Sequence, residues 1–108
     1  MIKLFCYSTL RLPQVIKHVL GVDPPEDKAE VLGHIDHFAQ NYEDLMPGTD
    51  PIHGDVYTID PAELKKLARW EHANYRLEKT TTSSGESVLY FKMRPASRAK
   101  MRMSHGNK

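Results

Sequence analysis

Residues 2–13, Ile-Lys-Leu-Phe-Cys-Tyr-Ser-Thr-Leu-Arg-Leu-Pro, commit the chain to a strand that passes almost at once into a helix. Residues 2–7 are mostly apolar with aromatic and β-branched members, the pattern of a buried strand. Ser8 and Thr9 interrupt it with hydroxyls that bond nearby backbone. Pro13 then suits the first position of a helix. Leu12, Val15, Ile16, Val19 and Leu20 recur at helical spacing, and Gly21 can close the helix in a left-handed conformation. The polar loop between strand and helix gathers backbone N–H groups beside a helix N-terminus, a place for an anion or a polarised carbonyl. An ordinary strand-to-helix connection has the same local sequence.

A chain of 108 residues with 40% hydrophobic content fits one domain with a real core and is too short for two. Its formal net charge of +1 provides no global field to draw nucleic acid or a membrane. Cys6 is the single cysteine, so no internal disulfide can form, and mid-strand it reads as a small buried hydrophobe rather than a nucleophile. No apolar run approaches the ~18 residues of a membrane span, and no signal-peptide pattern opens the chain. A soluble, cytoplasmic domain is expected.

After the first helix, residues 22–28 carry two prolines and mixed charge and read as loop. Residues 29–39 read as a strand, with Gly33 marking a bulge or a close backbone approach. His34 and His37 lie three apart, on opposite faces of such a strand, so they cannot share a metal ion. Residues 40–51 are rich in turn formers and read as a long loop, with Tyr42 and Leu45 folding back onto the body. Residues 52–59 return to a strand.

The next helix has the plainest start signal. Asp60 is placed to cap it, Pro61 takes the first position, and Glu63 completes a capping box. Its inward stripe is Leu64, Leu67, Ala68 and Glu71, which puts a carboxylate where the period asks for an apolar residue. Either Glu71 ends the helix at the water's edge, or it projects into a partly buried pocket. Burial would raise its pKa toward the range useful to a general acid–base.

Residues 75–82 and 87–93 are β-prone runs around the turn Ser83-Ser84-Gly85-Glu86, a hairpin. Residues 95–108 hold basic groups without an acid and no periodic apolar face. They read as a mobile basic tail, dispensable for folding, after a domain spanning residues 1–94. The tail lacks aromatics for stacking and an organised basic face, which argues against nucleic acid as a partner. Five strands and two helices in the order β-α-β-β-α-β-β make an α+β fold, a small curled sheet or barrel with helices packed outside.

Three groups of these residues together carry a family resemblance. Tyr7-Ser8-Thr9-Leu10, Gly54-Asp55-Val56-Tyr57-Thr58-Ile59-Asp60, and Leu67-Ala68-Arg69-Trp70-Glu71 followed by Tyr75-Arg76 resemble the gamma-glutamylcyclotransferase-like family, in its small single-domain branch. The likeness extends more loosely over residues 1–93. It implies a small mixed five-stranded β-barrel with flanking helices, and a pocket lined by Tyr7, Ser8, Thr9, Leu10, Glu71 and Tyr75. Glu71 would be the catalytic acid–base, with Tyr7, Ser8, Thr9, Leu10 and Tyr75 binding the substrate. Three positions depart from the family pattern: Ser8 stands for a glycine, Ala68 for an aspartate and His72 for a glycine.

The resemblance implies a transferase- or lyase-type cyclisation that releases 5-oxoproline from a γ-glutamyl amine or peptide, with no metal or organic cofactor. The partner is then a small γ-glutamyl substrate or another anionic ligand, not a membrane. The competing reading is a binding module that holds a small anion or a protein tail in the same pocket without turnover. Oligomeric state has no signal in the sequence.

Overall fold

The computed structural model describes residues 1–7, 12–38, 43–71 and 74–106, with side chains described up to residue 100. Ser8, Thr9, Leu10, Tyr42 and His72 lie outside the described residues. The first strand, β1 (Ile2–Cys6), occupies the centre of a mixed five-stranded sheet ordered β2-β3-β1-β5-β4. It pairs antiparallel with β3 (Glu43–Ile59), Ile2 opposite Ile59 and Cys6 opposite Asp55, and parallel with β5 (Ser87–Met93) at Leu4 and Leu89. A strand covered on both faces has to be apolar on both, which accounts for the unbroken burial of Leu4, Phe5 and Cys6.

Alternation along β1 sorts its side chains into two cores. Leu4 and Cys6 pack with Ile16, Leu20 and Leu67, the buried residues of α1 (Pro13–Leu20) and α2 (Pro61–Glu71). Phe5 joins Val31, Leu45, Val56 and Val88 in the other. The sheet as a whole curls into a half-barrel. Where β3 passes Phe5, only a glycine fits. A Cβ on Gly54 would lie 2.8 Å from the Phe5 ring.

The helices start and stop where local chemistry dictates. The backbone N–H of Glu63 donates to Asp60 Oδ1 at 2.7 Å, and Glu63 Oε1 accepts from the Asp60 N–H at 3.0 Å, so the expected capping box forms at α2. Gly21 adopts a φ of 77° and its N–H bonds the Lys17 carbonyl at 2.7 Å, ending α1 as expected. Strand β4 (Tyr75–Thr81) pairs with β5 from Tyr75–Met93 to Thr81–Ser87, the expected hairpin.

Two stretches read as loop are strand instead. Strand β2 (Glu26–His37) begins three residues before the expected run, with Glu26, Asp27 and Lys28 facing Tyr57, Val56 and Asp55. Strand β3 begins at Glu43 and runs for 17 residues. The turn formers in it make an irregularity rather than a loop. Gly33 pairs with Asp50 but His34 pairs with Met46, so Pro47, Gly48 and Thr49 are extra residues on the β3 side. The bulge at Gly33 matches expectation, and a Cβ there would lie 2.7 Å from Leu45 Cδ1. Pro47 and Pro51 are tolerated because β1 covers only residues 55–59 of β3, leaving the rest as an edge on that side.

The segment read as a tail is helix α3 (Pro95–Gly106). A polar residue attaches it, which a search for apolar periodicity does not detect. Arg98 donates to Asp44 Oδ2 at 2.7 Å and to Asp36, and its guanidinium lies 5.3 Å from the centre of the Phe38 ring. Asp44 is fully buried, and also accepts from Lys92 at 3.2 Å and from the Met93 N–H at 3.0 Å. A carboxylate stays buried only with such a set of partners.

Candidate functional site

The C-terminal end of β1 and the last turn of α2 meet on one side of the sheet. Helical spacing turns Leu64, Leu67 and Ala68 to the first core, with Leu67 wholly buried. Glu71, one turn beyond Ala68, follows them inward and loses most of its solvent. Burial holds its carboxyl up at about 7. It is therefore a partly buried carboxyl rather than a solvated helix end. A carboxyl with this pKa exchanges protons readily near neutrality.

The charge of Glu71 acts on two groups at the end of β1. It contributes to the raised pKa values of the Cys6 thiol and the Tyr7 phenol, both of which burial pushes up first. The thiol is therefore protonated and inert, consistent with its place as a core hydrophobe. Its Sγ lies 4.0 Å from the Leu4 carbonyl oxygen.

Two tyrosines of this region have their hydroxyls fastened to backbone. Tyr7 donates to the Phe91 carbonyl at 2.6 Å, which ties the end of β1 to β5. Tyr75 donates to the Glu43 carbonyl at 2.9 Å, which ties the start of β4 to the start of β3. Tyr75 and Asp44 also act electrostatically on Tyr7. The described candidates Tyr7, Glu71 and Tyr75 thus occupy one neighbourhood, whereas Ser8, Thr9 and Leu10 lie outside the described residues.

Asp44, bonded by Lys92 and Arg98, also acts on Tyr7 and was not legible as part of this neighbourhood. Its residues come from three separate elements, and nothing in the local sequence around any one of them announces the others. His34 and His37 have separate acidic neighbours, Asp36 Oδ1 at 3.0 Å and Glu43 Oε2 at 3.3 Å. Among the described residues no group of three His, Cys, Asp or Glu side chains could hold a metal ion. Nor is any described helix long and apolar enough to cross a membrane.

Comparison with known proteins agrees in both sequence and fold. The family model described as "Gamma-glutamyl cyclotransferase, AIG2-like" matches residues 4–107. The Gamma-glutamylcyclotransferase family protein YtfP of Escherichia coli (strain K12) is 29% identical over 107 residues, covering 92% of this chain and 89% of that protein. The solution structure of At5g39720.1 from Arabidopsis thaliana superposes with a TM-score of 0.73 at 20% identity, over 93% of this chain and 73% of that one. The crystal structure of the uncharacterized protein PH0828 from Pyrococcus horikoshii gives a TM-score of 0.66 at 15% identity, over 99% and 98% of the two chains. At these identities the two structures bear on the fold.

Proposed function

Because the chain belongs to the gamma-glutamyl cyclotransferase, AIG2-like family, we propose that it releases 5-oxoproline from a γ-glutamyl amine or peptide, with Glu71 as the general acid–base. The observation that carries this reading is the Glu71 carboxyl, held at about 7 by burial and acting on Tyr7 at the end of β1. Near neutrality such a group is divided between a form that takes a proton and a form that gives one, and both halves of the reaction are then served by one residue.

In the proposed reaction the ionised Glu71 takes a proton from the substrate's α-amino group as its nitrogen attacks the γ-carbonyl carbon. The new N–C bond closes the five-membered ring. The old amide C–N bond then breaks, and the proton held by Glu71 passes to the departing amine. Nucleophile and electrophile belong to one molecule, so orientation supplies much of the rate and no cofactor is needed. Backbone N–H groups of residues 8–10 are the proposed donors to the substrate's carboxylate or the developing oxyanion. Tyr7 and Tyr75, immobilised through their hydroxyls, shape the walls.

The test is incubation of the purified protein with a panel of γ-glutamyl amines and peptides, following 5-oxoproline by mass spectrometry. Glu71→Gln keeps the shape and cannot accept the proton, so turnover should fall on the order of 10²-fold or more while ligand binding persists. Equal turnover by the variant would remove Glu71 from the chemistry.

A further inference from the structure

β4 is one of the two outer strands of the sheet, and beside it and the C-terminal half of α2 the surface opens into a groove of about 590 Å³. Ala68, Leu77 and Phe91 give it an apolar lining. Two exposed arginines also line it with their side chains, Arg69 from α2 and Arg94 just beyond β5, whereas alternation along β4 turns the side chain of Arg76 to the face of Glu78 and Tyr90. The Arg94 backbone N–H donates to the Asn74 carbonyl at 2.7 Å, which fixes the base of that side chain beside the start of β4. Arg76 Nε lies 2.9 Å from Glu78 Oε1. Among the described residues, neither Arg69 nor Arg94 has a carboxylate partner.

The whole chain carries a formal charge of only +1, so this concentration of positive charge is local to the groove. Like charges gathered on one surface repel each other, and an anion between them relieves the repulsion. Guanidinium groups match carboxylates in a two-bond fork, with a geometry that a lysine ammonium lacks. The groove also adjoins the proposed chemistry. Tyr75 lines it, and Ala68 and Tyr75 bracket Glu71 in the chain, one helical turn before it and four residues after.

We propose that this groove receives the leaving-amine half of the substrate and selects one that bears carboxylates, an acidic amino acid or short acidic peptide, over a cationic amine. The proposal rests on the cyclotransferase reading, which assigns the γ-glutamyl half to the neighbourhood of Glu71. The apolar lining suits the short hydrocarbon body of such a ligand, and the arginines suit its ends. A diamine or lysine-like leaving group meets the same arginines as repulsion, so selection works in both directions.

The first measurement uses the full, isotopically labelled chain and no turnover. Titration with L-aspartyl-L-glutamate should produce saturable shifts in the side-chain Nε–H signals of Arg69 and Arg94, weakened by added salt. Putrescine should produce none. The second compares kcat/KM for γ-glutamylglutamate with that for γ-glutamylputrescine. In Arg69→Gln/Arg94→Gln this ratio should fall roughly tenfold, the scale of a lost charge-assisted contact. The exposed positions of both side chains make the double variant safe for folding. Absent arginine shifts, or an unchanged ratio, would overturn the proposal while leaving the cyclotransferase reading in place. Arginine shifts without turnover of any γ-glutamyl compound would support acid recognition by the groove and overturn that reading instead.

Discussion

Arg98 of α3 reaches Asp44 of β3 at 2.7 Å, and Asp44 has no solvent exposure at all. The pair joins the C-terminal helix to the long β2–β3 arm, with Asp36 of β2 taking a second bond from the same guanidinium. Lys92 of β5 and the Met93 N–H share the Asp44 carboxylate, so two strands and a helix converge on one buried carboxylate. Since Asp44 also acts on Tyr7, the helix is attached next to the proposed site.

Removing Arg98 should therefore matter for folding. Arg98→Ala leaves a buried carboxylate with one cation fewer, at a cost on the order of 2–3 kcal/mol. For a domain of this size that corresponds to a fall in melting temperature of roughly 10 °C or more. Ending the chain at Arg94 should do the same or worse. Thermal unfolding of the two variants measures this, and a shift of only a few degrees would mean that Lys92 alone sustains Asp44.

Glu71 should give stability a pH dependence of opposite sign to that of an ion-paired carboxylate. Its folded pKa of about 7 lies above the unfolded 4.5, so between these values the native state binds more protons than the unfolded one. Stability from this group is complete below about pH 4.5 and is lost as pH rises to 7. Glu71→Gln should leave stability at pH 4 unchanged and raise it at pH 8, by on the order of 3 kcal/mol. Denaturant unfolding at both pH values checks the sign. Lower stability of the variant at pH 8 would show an ionised, structurally paired Glu71.

Gly54 is the backbone position least able to accept a side chain. The hypothetical Cβ meets the Phe5 ring at 2.8 Å and the Cys6 carbonyl closer still, and Gly54 is held by its pairing with Ala29 of β2 directly beside the β3 residues that β1 covers. Gly54→Ala should destabilise by about 1–3 kcal/mol, with the near-ultraviolet aromatic signal altered as Phe5 moves. Gly85→Ala meets no atom within 4 Å but sits at a φ of 92°, so its cost should come from backbone strain, without that spectral change.

What the sequence determined by itself is what neighbours along the chain can settle among themselves. Asp60, Pro61 and Glu63 lie within one turn, so the start of α2 is written locally and forms as read. The same holds for the β4–β5 hairpin, where two β-prone runs need only the turn between them, and for Glu71, whose inward direction follows from helical period alone. Tertiary structure decided whatever depends on a distant partner. Residues 43–51 look like loop until β2 offers them a ladder, and Glu26, Asp27 and Lys28 become strand only because Tyr57, Val56 and Asp55 lie opposite. Residues 95–106 look like a tail until Arg98 finds Asp44, 54 positions earlier. The pKa of Glu71 and the approach of Arg69 to Arg94 across one groove belong to the same class. Desolvation and charge proximity depend on which surfaces meet in space, and no run of consecutive residues encodes that meeting.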